Sequence, residues 1–244
     1  MEYYFELLGL LGFDKVIIKE YIDLLLPSAL REDKARLIMI MHGIVDELTM
    51  DYMCKTRKYL QDLCRGRSLT DPFIEAYKSF VSGLLSRYDL YKLIPEVGLN
   101  IVYAPFKPRN IGDVIGILGR IIKIGGKARA IGDPIYGGSH HLAKVLIIVN
   151  KYNPVKKTAV NIRYDDMFLR KLAGLNKNII HTGPHDSLED FWVSIEKAAK
   201  SKPDIIADKG GYGLEPIIYV FTSSFDELEE IIRILVGRNE SEVL

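Results

Sequence analysis

The chain has 244 residues, 48% of them hydrophobic and 27% charged, with a formal net charge of +1. That length allows one large domain or two small ones around a sizeable core, and the composition excludes a disordered chain. A near-neutral balance also excludes a global field drawing the protein to nucleic acid or membrane; such binding would need a local patch.

The N-terminal "MEYYFELLGLLGF" is acidic and lacks a small-residue cleavage site, so it does not read as a secretion signal. No apolar run reaches the roughly 18 to 20 residues of a membrane span. The two cysteines, Cys54 and Cys64, lack CxxC spacing and read as reduced thiols. A soluble, cytoplasmic protein is expected. Up to about residue 90 the pattern is helical, with Leu, Ile and Met at spacings of three and four in the runs 14–26, 31–48, 51–63 and 71–88. Asp71 followed by Pro72 is a helix start, an N-cap with proline at the first helical position. "CKTRKYLQDLCRGR" sets the basic residues Lys55, Arg57, Lys58, Arg65 and Arg67 against Asp62 alone. A basic helix of this kind could lie along DNA phosphates. Yet no tight turn falls between Glu47 and Leu63, as a helix-turn-helix requires. Residues 1–85 also carry 11 basic against 13 acidic side chains, which is no DNA-binding charge.

After residue 95 short β-rich runs alternate with helices. The strand candidates are "NIVYA", "GRIIKIG", "KTAVNIRY", "KNIIHTG", "PDIIADKGG" and "PIIYVFT". Helices are predicted at 139–151, 165–173, 187–200 and 225–237. The fold class expected is α/β: a layered sheet-and-helix C-terminal domain, 88–244, behind a smaller all-α N-terminal domain, 1–87.

Three stretches could carry chemistry by themselves. In "YGGSHHLAKVLI", Gly137 and Gly138 permit a tight loop and Ser139 can cap the helix that follows. A helix N-terminus with free N–H groups attracts phosphate. His140 and His141 are adjacent and cannot aim at one ion from a helix, so this is no zinc site. "PDIIADKGGYGLEP" runs a strand into Asp208, Lys209 and the glycines 210 and 211, which reads equally as a ligand-holding strand end or as a polar turn. Asp208 could hold Mg²⁺ or an amine there, and Lys209 a phosphate. In "VNIRYDD", Asn161 and Arg163 share one strand face, either offering an amide and a phosphate fork or forming a solvated edge. Arg120, in "GRIIKIGG", would alone be a surface charge, and "IPEVGLNIVYA" says little by itself.

Together, "IPEVGLNIVYA", "GRIIKIGG", "YGGSHHLAKVLI", "VNIRYDD" and "PDIIADKGGYGLEP" stand in an order and spacing that resembles the archaeal ThiN-type thiamine-phosphate synthase domain, over residues about 88 to 238. "YIDLLLPSALREDKARLIMIMHGI" resembles, in degenerate form, the helix-turn-helix head of thiamine-responsive repressors in the same family. The resemblance implies a transferase that joins hydroxymethylpyrimidine diphosphate to hydroxyethylthiazole phosphate, giving thiamine phosphate and diphosphate. The alternative it implies is a thiamine-phosphate-sensing transcription regulator, with DNA binding by the head possible but not favoured. By the GR and S-x-H blocks, the family's functional arginine and histidine fall on Arg120 and His141. Phosphate and substrate contacts are expected at Gly98, Asn100, Gly137, Gly138, Ser139, His140, Asn161, Arg163, Asp208, Lys209, Gly210, Gly211 and Glu215. His140 departs from the arginine expected at its place. Mg²⁺ is the expected cofactor, with Asp208 as its ligand; thiamine phosphate and its two precursors are the expected ligands, no membrane partner is expected, and a homodimer is.

Overall fold

A computed structural model describes residues 71–211 and 213–237. The helical runs before Asp71, with the expected repressor-like head and its basic helix, lie outside the described residues. The described residues belong to a compact unit that begins at Thr70.

Helix α1, Pro72–Arg87, starts as its sequence dictates: the Asp71 carboxylate accepts from the N–H groups of Phe73 and Ile74, and Pro72 fills the first turn. Its buried face, Tyr77, Val81 and Leu84, enters the same apolar cluster as the sheet. Composition groups this helix with the N-terminal region; packing gives it to the α/β unit, because a helix belongs with the surface that covers its apolar stripe.

The remaining elements follow in order: β1 (Ile101–Tyr103), β2 (Ile115–Ile117), β3 (Ile121–Ile124), β4 (Lys127–Ala130), β5 (Pro134–Tyr136), α2 (His140–Tyr152), β6 (Thr158–Arg163), α3 (Asp166–Ala173), β7 (Ile179–Thr182), α4 (Leu188–Ala199), β8 (Ile205–Asp208), β9 (Ile217–Thr222) and α5 (Phe225–Val236). Seven strands form one sheet in the order β5-β2-β1-β6-β9-β8-β7, and β3 and β4 form a separate hairpin. The hairpin joins the body through Leu99 and Ile121, which exchange N–H···O=C bonds of 2.9 and 2.7 Å.

Alternation of strand and helix along a chain suggests parallel pairing, but only β7 and β8 pair that way; every other neighbour is antiparallel. Strands β6, β8 and β9 are buried almost throughout, so both sheet faces must be covered. Val220 and Ile218 of β9 face a cluster with α1, α3 and α5; Tyr219 and Phe221 face a second cluster with α2 and α4. The result is a three-layer domain, and the residues that matter below lie on the α2–α4 side. Among the described residues no helix is long and apolar enough to cross a membrane.

Candidate active site

The Arg120 loop is built first by two asparagines. The Asn100 side chain donates to the Ile117 carbonyl at 2.8 Å and accepts from the Ile117 N–H at 3.0 Å, continuing the sheet with an amide in place of a peptide. Asn161 accepts from the Asn100 N–H at 2.7 Å and donates to the Gly98 carbonyl at 2.9 Å. Glu215 closes the other side, its two oxygens accepting from the N–H groups of Glu96 and Val97 at 2.8 and 2.9 Å. Of the residues expected as substrate contacts, the side chains of Asn100, Asn161 and Glu215 bond loop backbone at Ile117, at Asn100 and Gly98, and at Glu96 and Val97. Buried amides must be paired, and here that demand is met by the loop itself.

What the loop carries is Arg120. Its backbone is left-handed at φ 73°, uncommon for a residue with a Cβ, and its guanidinium donates to the Val97 carbonyl. The hold from both sides keeps an exposed, strained arginine in place.

His141 faces this charge from the first turn of α2. Among the described residues four helices are capped by a side chain, Asp71, Asp165, Ser187 or Ser224. Ser139 is the N-cap of α2 but its hydroxyl makes no capping bond, contrary to expectation. The loop ahead is instead fixed by close approach: a Cβ on Gly138 would lie 2.3 Å from the Gly116 carbonyl oxygen of β2. The first N–H groups of α2 are left without a capping side chain at the loop expected to seat phosphate.

The His141 ring packs against Phe191 and Trp192 of α4, with centroids 5.2 and 5.1 Å away, and its Nε2 lies 3.0 Å from the Tyr219 hydroxyl. Desolvation by that wall, then the positive charges of Arg120 and Lys144, lower its pKa to about 4, opposed by Asp208. The residue is itself exposed, so solvent screens part of these charges. The imidazole is neutral at pH 7. His141 therefore stands close enough to Arg120, Lys144 and Asp208 to feel their charges; His140, beside it, is likewise exposed.

Asp208 is 1% exposed at the end of β8 and is a hub. It accepts from the Thr182 hydroxyl at 2.5 Å, from His185 Nε2 at 2.6 Å and from the Gly210 N–H at 2.7 Å. His185 returns a backbone bond from its N–H to the Gly210 carbonyl at 2.8 Å, and a Cβ on Gly211 would meet the His185 backbone at 2.5 Å. The glycines 210 and 211 thus serve close packing of two loops. With these donors around both oxygens, the Asp208 carboxylate does not fit a Mg²⁺ seat, and no group of three or more His, Cys, Asp or Glu among the described residues could hold a metal. Lys209, next along, is exposed. Arg163 bonds Asp165 at 2.9 Å and lines a 680 Å³ cleft with Lys123, Val97 and Gly213.

Sequence reasoning missed Tyr219, His185, Thr182 and the Phe191–Trp192 wall. Tyr219 sits in an apolar run where nothing marks it apart, and His185 follows a loop proline; only tertiary contact gives either a polar partner.

The fold defines a mixed sheet-and-helix domain, with Arg120, His141 and Asp208 as its candidate site residues. The chain belongs to the ThiN thiamine-phosphate synthase family, whose model matches residues 77–234. It is 32% identical over 175 residues to the thiamine-phosphate synthase ThiN of Methanothermobacter thermautotrophicus, covering 66% of this chain and 92% of that protein. It is 34% identical over 153 residues to the bifunctional thiamine biosynthesis protein ThiDN of Methanocaldococcus jannaschii, covering 59% of this chain and 36% of that protein. Among solved structures it resembles the C-terminal domain of a phosphomethylpyrimidine kinase at TM-score 0.59 and 31% identity, over 66% of this chain and 97% of that one. The regulator reading finds no support in these relatives.

Proposed function

We propose that the domain joins hydroxymethylpyrimidine diphosphate to hydroxyethylthiazole phosphate, forming thiamine phosphate and releasing diphosphate. The bond formed is between the thiazole nitrogen and the pyrimidine methylene carbon; the bond broken is from that carbon to the diphosphate oxygen, which keeps the electron pair. Beside the family membership, what supports this reading is that His141 stands in the first turn of α2, whose start has no side-chain cap, close enough to Arg120 to feel its charge. Negative charge grows on the departing diphosphate, and a preorganised cation and N–H donor stabilise it most where charge develops. Arg120 supplies the charge. His141 supplies a hydrogen bond, not a positive charge, because its ring is neutral at working pH. The Phe191–Trp192 wall gives an aromatic substrate ring an apolar face. Mg²⁺ enters this reading only with the diphosphate, not on a protein seat at Asp208.

The test is turnover: full-length protein with both substrates and Mg²⁺, followed for thiamine phosphate. Formation of thiamine phosphate at a rate proportional to protein is expected. No product, with both substrates shown to bind, overturns the reading.

A further inference from the structure

We propose that Tyr219 sets the tautomer of His141, keeping the ring proton on Nδ1 so that a neutral N–H is offered to the ligand. The Tyr219 residue is 3% exposed, and its hydroxyl has His141 Nε2, at 3.0 Å, as its hydrogen-bond partner among the described residues. A buried phenol must place its proton on an acceptor. The phenol itself stays protonated, since burial and then the charges of Asp208 and Glu215 push its pKa upward. With the phenol donating, Nε2 accepts, and the single proton of a neutral imidazole falls to Nδ1.

Every element around the ring agrees. From α4, Phe191 and Trp192 offer no proton acceptor to the ring faces; Arg120 and Lys144 oppose a second proton, and Asp208 alone favours it. Protonating Nε2 would set two hydrogens between it and the Tyr219 oxygen. Tyr219 is thus a positioning residue: it keeps His141 a donor that does not become an imidazolium when the anionic substrate arrives. A neutral imidazole acting as electrophile in this way is a known catalytic pattern. The catalytic consequence rests on the synthase reading; the tautomer itself does not.

The experiment is nitrogen NMR on the full chain labelled with ¹⁵N-histidine, with His141 assigned through His141→Gln among the five histidines. At pH 7 the expected spectrum has His141 Nδ1 protonated and Nε2 as a hydrogen-bonded acceptor. In Tyr219→Phe the two nitrogens should move toward averaged values. Its kcat should fall roughly 10-fold with KM little changed, and the acid limb of its pH–rate profile should move to higher pH. A parent spectrum with the proton on Nε2, or an imidazolium at pH 7, overturns the proposal, as does a Tyr219→Phe spectrum that matches the parent. The parent spectrum decides even if the variant fails to fold. A parent that shows the expected spectrum but no turnover supports the tautomer and refutes the synthase reading.

Discussion

Arg120 and His141 reach the site by opposite means, one held out in a strained backbone and one pressed against aromatic rings. If both act on the leaving diphosphate, Arg120→Ala and His141→Ala should each slow turnover by roughly 10² to 10⁴. Affinity for thiamine phosphate, which lacks the leaving group, should change much less by calorimetry. Arg120→Gly should be as inactive as Arg120→Ala yet more stable by about 1 kcal/mol in thermal melts, because glycine tolerates φ 73° without strain. The histidine adds a pH signature. Its folded pKa of about 4 lies below the ordinary 6.5, so the unfolded chain binds the proton first. Stability from the neutral ring is fully present above pH 6.5 and is lost as pH falls toward 4, where the loss levels off. His141→Gln should flatten the stability profile in that window; identical slopes in parent and variant would contradict it.

At the scale of elements, the helices and most strands were readable, but β2, β4 and β5 were not. The predicted helix 187–200 and the observed α4 agree within a residue at either end, because a long apolar stripe with a serine cap leaves little choice. Strands β2 and β5 are three residues each, one centred on Gly116 and the other opening with Pro134, so neither has enough alternation to register. They exist because β1 offers an edge and the loop before α2 packs on Gly116. The Gly138 contact is the test of that packing. In Gly138→Ala the new methyl cannot fit beside the Gly116 carbonyl, and the backbone must shift at a cost of about 2 kcal/mol. Melting should show that loss, and turnover should fall with it since the start of α2 moves. Unchanged melting and turnover would mean the loop is loosely held.

Across the whole molecule the Asp208 hub is the feature most changed by seeing the fold. A carboxylate at a strand end suggests a ligand seat, but this one joins the ends of the parallel strands β7 and β8 through Thr182 and His185. Asp208→Asn keeps the shape but weakens charge-assisted bonds inside the protein, so it should lower stability by about 3 kcal/mol by denaturant melts. Loss of turnover with unchanged stability would return Asp208 to the ligand. The sequence by itself determined the helices of this domain, its layered class and its family, since periodicity, caps and ordered motifs are local properties of the chain. Only the tertiary structure decided which of the polar residues hold the loops. Asn100, Asn161, Asp208 and Glu215 look like site residues in a string of letters, but a polar side chain bonds whichever partner folding brings within about 3 Å. That partner was backbone for three of them and a threonine, a histidine and a glycine N–H for Asp208.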